Sequence, residues 1–281
     1  MDLTSYLLSH AREDLISWYV QLAAAQDYRL SISQVEEAIL EHGLLPARYQ
    51  RNRQTISTSK QLRLFRSTAV VVGCGGLGGY LIEEMTRLGI GAIIILDPDT
   101  FEEHNLNRQL YSSPNLLGSS KVSAAAARVR EINPAVTVTA LQIEFNNENG
   151  RDLLSGADIV LDGLDSITTR RTLANICREL QIPLVYGAIG GWYGQVATQL
   201  PGDDISLFLA GNRGEQKGVE QQIGNPSFTP ALVASLQVAE ACKVLLGEGT
   251  LLRNKMLCID LREMTFEHIA FDTSPESGCL A

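Results

Sequence analysis

Val70-Val71-Val72-Gly73-Cys74-Gly75-Gly76-Leu77-Gly78-Gly79 is the stretch on which the fold turns. An apolar, β-branched run enters a glycine turn, and residues 80–88 beyond it have helical period. Glycines 73, 75 and 78 fit the pattern G-x-G-x-x-G. In that pattern the first glycine permits a tight turn, the second lets backbone approach a phosphate, and the third lets helix pack on strand. The following helix then offers its N-terminal N–H groups to an anion. A nucleotide site is implied, but the turn alone does not choose between NAD and ATP.

Working outward, short apolar runs at 69–72, 92–96, 136–141, 157–161 and 183–186 read as buried strands. Helical stretches at 77–88, 119–131, 147–155 and 166–181 lie between them. This alternation predicts an α/β chain with a doubly wound, mainly parallel, Rossmann-like sheet. Residues 1–47 read as an N-terminal helical extension of two helices. Leu7, Ala11, Leu15 and Tyr19 space the first, and Ser33-Gln34-Val35-Glu36 is read as a capping box opening the second. Gly43 and Pro46 are its stop signals. After the glycine-rich segment 187–194, runs at 195–200, 255–259 and 265–271 predict C-terminal antiparallel strands. Residues 210–228 read as a mobile loop. Thr229-Pro230 opens a long helix that ends at Gly247.

A chain of 281 residues, 45% hydrophobic, can bury a sizeable core. Its net charge of −9 argues against a nucleic-acid partner and favours a partner with a basic face. No run approaches a membrane span, and the N-terminus lacks a basic-then-apolar signal pattern, so a cytoplasmic protein without a membrane partner is expected. The five cysteines, at 74, 177, 242, 258 and 279, occur singly. With no C-x-x-C pair they form neither a disulfide framework nor a recognisable zinc site, and read as reduced, mostly buried thiols.

The chemistry-bearing residues cluster at strand ends. Asp97 closes the second strand about 20 positions past the glycine turn, where an acidic residue accepts hydrogen bonds from a ribose. Arg108, in the run Glu102-Glu103-His104-Asn105-Leu106-Asn107-Arg108-Gln109, and Lys121, after Gly118-Ser119-Ser120, bring two cations to the same mouth. A dinucleotide pyrophosphate is served by backbone N–H groups. Two added cations point instead to a triphosphate whose leaving pyrophosphate needs charge compensation. Asp162 and Asp165 stand at the end of the fourth strand, and a carboxylate facing phosphates is what Mg2+ requires. The alternative is that one of the two is only a helix N-cap for 166–181, with Asp162 the better candidate for that structural duty.

These motifs, in this order, resemble the ThiF/MoeB/HesA family of adenylyltransferases, relatives of the ubiquitin-activating enzymes. The resemblance runs from about Arg48 to near the C-terminus. It takes in Arg48-Tyr49-Gln50-Arg51, the glycine turn, Asp97-Pro98-Asp99, the run 105–109, Gly118-Ser119-Ser120-Lys121-Val122 and Asp162-Gly163-Leu164-Asp165. Ser235-Leu236-Gln237-Val238-Ala239-Glu240-Ala241 also looks like the family. It implies ATP-dependent adenylation of the C-terminal glycine carboxylate of a small ubiquitin-like (β-grasp) sulfur carrier ending in Gly-Gly. Residues 48–272 would form the adenylation domain, and 273–281 a flexible tail. Gly73, Gly75, Gly76 and Gly78 would cradle phosphate and Asp97 the ribose, with Asp99 and Gln109 as further nucleotide contacts. Asn105, Arg108 and Lys121 would grip the β- and γ-phosphates, and Asp165 would hold Mg2+. Arg51 matches an arginine that reaches the neighbour's ATP site in a homodimer.

Two departures from the family follow. The paired C-x-x-C motifs that hold zinc in many relatives are missing, so zinc is not expected. Residues 201–218 contain no cysteine to accept an activated carrier, so the reaction is expected to stop at the acyl-adenylate. The glycine-rich segment 187–194 is read as the entry for the partner's tail, with Trp192 packing against it. Alternatives are another carboxylate acceptor such as a peptide C-terminus, a nucleotide-binding scaffold without turnover, and an NAD-dependent oxidoreductase. Arg108, Lys121 and Asp165 weigh against the last.

Overall fold

The computed structural model describes residues 1–206, 208–210 and 223–271. The expected tail 273–281, with Cys279, lies outside them, as does most of the expected loop 210–228. Strand β3 (Thr68–Val72) leads through helix α5 (Gly76–Leu88) to β4 (Ala92–Leu96), and α6 (Lys121–Ile132) leads to β5 (Thr137–Leu141). Then come α7 (Gly150–Leu154), β6 (Ile159–Asp162), α8 (Ile167–Leu180) and β7 (Leu184–Gly190). The antiparallel part is β8 (Tyr193–Gln199), β9 (Lys255–Asp260) and β10 (Thr265–Ala270), with α9 (Phe228–Leu246) between β8 and β9. Among the described residues these strands form one eight-stranded sheet in the order β10-β9-β8-β7-β6-β3-β4-β5. It is parallel from β7 to β5 and antiparallel from β7 to β10, as the sequence predicts.

Both faces of the inner parallel strands β3, β4, β6 and β7 are largely buried, which is why they read as continuous apolar runs, whereas β5 at the edge exposes Thr137 and Thr139. Val71, Ile93, Ile95 and Leu161 face a layer built from α5, α6 and α9. Their neighbours Val70, Val72, Leu96 and Val160 face α7 and α8. By length and composition α9 matches a membrane span, against the expectation that no run does. Its apolar character has a core explanation: it lies against α5 and strands β6 to β8, burying Val233, Ala234, Val238, Ala241 and Leu245. It starts at Phe228, ahead of the Thr229-Pro230 signal, and ends at Gly247 in the left-handed conformation, as expected.

The N-terminal extension departs most from expectation. Three helices, α1 (Leu3–His10), α2 (Trp18–Tyr28) and α3 (Ile32–Glu41), replace two. The helix-spaced set Leu7, Ala11, Leu15 and Tyr19 is broken because the chain reverses at 12–15, with reciprocal Arg12–Leu15 backbone bonds and Glu13 at φ 58°. Leu15–Ile16 then forms β1, parallel to β2 (Leu45–Pro46). The capping box is Ser31 with Gln34, two residues before the expected one. Glu36, expected in that box, is fully buried, where Tyr49 donates to it at 2.7 Å. The sequence reading also lacks α4 (Thr58–Phe65), whose apolar stripe is only two turns long.

Candidate functional site

The chain winds from β3 outward to β5 and returns on the other side through β6, so strand order reverses between β3 and β6. Open α/β sheets bind ligands in the crevice at that point. Here a cavity of about 540 Å³ opens at the strands' carboxyl ends. Its floor is the glycine turn. Gly73 has φ 95°, and a Cβ there would lie 2.5 Å from the carbonyl oxygen of Gly163. A Cβ on Gly78 would overlap the carbonyl oxygen of Gly73. Gly75 instead meets only the end of Gln109, at 3.6 Å, so its backbone stays open to the cavity. Helix α5 begins at Gly76 without a side-chain cap, leaving its first N–H groups for a bound anion.

Asp97 fastens this turn to the end of β4. Its Oδ2 accepts the Cys74 N–H at 2.6 Å and its Oδ1 the Asp99 N–H at 2.8 Å. Each oxygen keeps a further lone pair, as a ribose contact would need. Burial raises its pKa, with Lys121 opposing. Lys121, the first residue of α6, is 7% exposed and its Nζ lies 2.8 Å from Asp99 Oδ2. Asp99 is thus the counter-ion of the lysine. Arg108 is held by one nitrogen: Nη1 donates to His104 O at 3.0 Å and to Asn107 Oδ1 at 2.9 Å. Asn107 in turn donates to Asn225 O at 3.0 Å, which draws the segment before α9 onto the cavity wall.

On the opposite wall Asp165 is exposed to the cavity, with no hydrogen bond or ion pair among the described residues. Asp162 is buried. Its Oδ1 accepts the Leu164 N–H at 2.9 Å, and its Oδ2 lies 3.5 Å from Arg170 Nε. It caps no helix, because Ser166 does that for α8. Burial pushes Asp162 up to about 6, with Arg170 pulling the other way. The described residues contain no cluster of three or more metal-ligating side chains. One free carboxylate facing phosphate oxygens is nonetheless a donor set that Mg2+ uses.

Most residues expected from the sequence converge on this one cavity: Gly73, Gly75 and Gly76, Asp97 and Asp99, Arg108 and Gln109, Lys121 and Asp165. Three do not line it. Gly78 lies beneath the turn, against Gly73. Asn105 is 4% exposed and spends its Oδ1 on the Glu102 N–H at 2.9 Å, shaping the run from behind. Arg51 is exposed on the turn after Tyr49, outside the cavity lining.

The sequence reading missed Arg170 and Asn225, which also line the cavity. Arg170 left a trace: it interrupts the buried stripe of α8 that continues through Leu173, Ala174 and Cys177. Asn225 left none, lying in an irregular segment. The glycine-rich segment 187–194 continues the predicted strands into a hairpin of β7 and β8, with Trp192 at its tip against the Phe228 ring at 4.6 Å. Gly191 N–H donates to Gly224 O at 2.7 Å, and Thr229 Oγ1 donates to Gly191 O at 2.6 Å. These bonds tie the hairpin tip to the segment that reaches the cavity. Burial pushes the thiols of Cys74 and Cys177 upward, and that of Cys242 to about 11, so these three stay neutral.

Comparison with known proteins gives a consistent picture. The ThiF family profile matches residues 49–281. The SAMP-activating enzyme E1 of Haloferax volcanii is 35% identical over 233 residues, covering 82% of this chain and 86% of the relative. The sulfur carrier protein adenylyltransferase of Thermus thermophilus is 33% identical over 223 residues, covering 76% and 82%. In fold, the chain resembles the crystal structure of E. coli MccB with ATP: TM-score 0.68, 20% identity, 91% of this chain and 83% of that one.

Proposed function

The chain belongs to the ThiF family, and from that premise we propose that it uses ATP to adenylate the C-terminal carboxylate of a small ubiquitin-like sulfur-carrier protein. One relative is named a SAMP-activating enzyme and another a sulfur carrier protein adenylyltransferase. The observation that carries the reading is the joint placement, at the sheet's switch point, of an uncapped helix N-terminus, two held cations and a free carboxylate.

A carboxylate is already a nucleophile at neutral pH, so the site needs no general base. One carboxylate oxygen forms a bond to the α-phosphorus, and the bond from that phosphorus to the β-bridging oxygen breaks. The products are an acyl-adenylate and pyrophosphate. Catalysis lies in positioning and charge neutralisation. Lys121 and Arg108 would meet the departing pyrophosphate, the N–H groups of α5 would hold phosphate oxygens, and Asp97 would fix the ribose. Mg2+, when bound, would neutralise phosphate charge, and Asp165 is the residue that would hold it. The carrier tail, ending in Gly-Gly, would enter beside the hairpin tip at Gly191. In a homodimer, Arg51 would reach the neighbouring site.

Calorimetric titration with ATP, with and without Mg2+ and with NAD+ for comparison, tests this reading. Saturable ATP binding that Mg2+ tightens in the native chain, but not in Asp165→Ala, is expected. Binding of NAD+ in place of ATP would overturn the proposal. Exchange of labelled pyrophosphate into ATP, dependent on a ubiquitin-like carrier ending in Gly-Gly, then checks turnover.

A further inference from the structure

The turn that carries Asp165 is fastened residue by residue. Gln237 Nε2, from the middle of α9, donates to Asp162 O at 2.9 Å. Gly163 N–H donates to Val72 O at 2.8 Å, the end of β3. Leu164 is held at both of its peptide groups: its N–H by Asp162 Oδ1 at 2.9 Å, and its carbonyl by Arg170 Nη2. The two side chains that hold it also form an ion pair, Arg170 Nε to Asp162 Oδ2 at 3.5 Å, with side chains 5% and 1% exposed. The guanidinium lies over the Tyr186 ring, 5.6 Å from its centroid. Ser166 then caps α8 through the Thr169 N–H. Asp165 sits between these fastened points with its own side chain unengaged.

Packing alone does not account for this pair. Desolvating two charges is costly, and an apolar pair of equal volume often stabilises a core as well or better. What the charged pair adds is a planar fork that reaches the carboxylate of Asp162 and the carbonyl of Leu164 together. We infer that Asp162 and Arg170 are positioning residues that brace the turn 162–165 and so present the Asp165 carboxylate at a fixed place on the cavity wall. This rests on reading Asp165 as the residue that holds Mg2+ beside ATP. Neither Asp162 nor Arg170 is assigned a contact with the reacting atoms. Their effect passes through Leu164, as outer groups orient a ligand residue in metal sites generally.

Arg170→Lys keeps the charge and loses the fork, whereas Asp162→Asn keeps the shape and loses the ion pair. In both variants ATP binding without Mg2+ should stay close to that of the native chain. The tightening caused by Mg2+ should fall by about tenfold, towards the behaviour of Asp165→Ala. A purely structural role would lower both affinities together, in step with the unfolding temperature. Folded variants that keep the full Mg2+ effect overturn the brace and leave the adenylation reading intact. A native chain with no Mg2+ effect overturns the Asp165 reading and the brace with it. Amide exchange in the native chain tests the brace even if both variants fail to fold. The Leu164 N–H should exchange slowly, and exchange at the rate of an open loop would overturn the inference.

Discussion

At Gly78 an added methyl would collide with the carbonyl oxygen of Gly73, whereas at Gly75 it would make only an ordinary contact with the end of Gln109, at 3.6 Å. The two positions therefore fail differently. Gly78→Ala should destabilise the fold by about 2–4 kcal/mol, seen as an earlier thermal unfolding transition. Gly75→Ala should unfold like the native chain yet bind ATP about tenfold more weakly. At Asp162 the sign of the pH effect follows from its shift. Burial raises it from the ordinary aspartate value of 3.8 to about 6, so between those values the native chain holds a proton that the unfolded chain has lost. Its contribution to stability is greatest below the lower value and is lost as pH rises through the upper one. Denaturant unfolding from pH 7 down to 5 should therefore show a stabilising component that Asp162→Asn lacks.

Among the elements, α3 and the segment after β2 are joined by a buried polar network. Tyr49 donates to Glu36 at 2.7 Å and accepts from Asn133 Nδ2 at 2.8 Å, while Arg48 reaches Asn133, Gln21 and Glu36. Desolvation raises both Glu36 and Tyr49, with Arg48 opposing it, and their hydrogen bond cannot be broken without orphaning a buried group. Tyr49→Phe should cost about 1–3 kcal/mol in equilibrium unfolding and leave nucleotide binding unchanged. The sequence carries little of this. Glu36 falls at a spacing that mimics a capping box, and a local pattern does not reveal that Tyr49 lies over it. Likewise the predicted strands stop at 186 and resume at 195 because glycine is usually a breaker. Gly187 and Gly194 are there because Gln237 and Val233 of α9 press on the strands.

Over the whole molecule, the N-terminal extension has a cluster of its own around Leu7, Ile16, Val35 and Ile39. It shares a second with the sheet domain, joining Leu40 and Leu45 to Tyr49, Phe65 and Ala135. Deleting residues 1–44 should expose Tyr49 and Phe65 and lower the unfolding temperature, with self-association visible by light scattering. Two-chain architecture has its own test. If Arg51 serves the neighbouring site, mixing inactive Arg51→Ala with inactive Lys121→Ala should restore about a quarter of native activity through mixed dimers. No recovery on mixing would place Arg51 in the service of its own chain's site, and an Arg51→Ala chain that stays active would place it outside catalysis.

From β3 onward the order of strands and helices was legible in the sequence, as were the glycine turn, Asp97 and the two cations. Each rests on a local period or a short motif whose physics lies within a few residues. Only the tertiary structure decided that Lys121 takes Asp99 as its counter-ion, that Asn105 shapes the site from behind its wall, and that Asp162 pairs with Arg170 in place of capping a helix. It also decided that α9, apolar enough to suggest a membrane span, is a core helix. The reason is reach. Asp162 and Gln237 are 75 positions apart in the chain, and only the packing of α9 across β6 and β7 makes them neighbours.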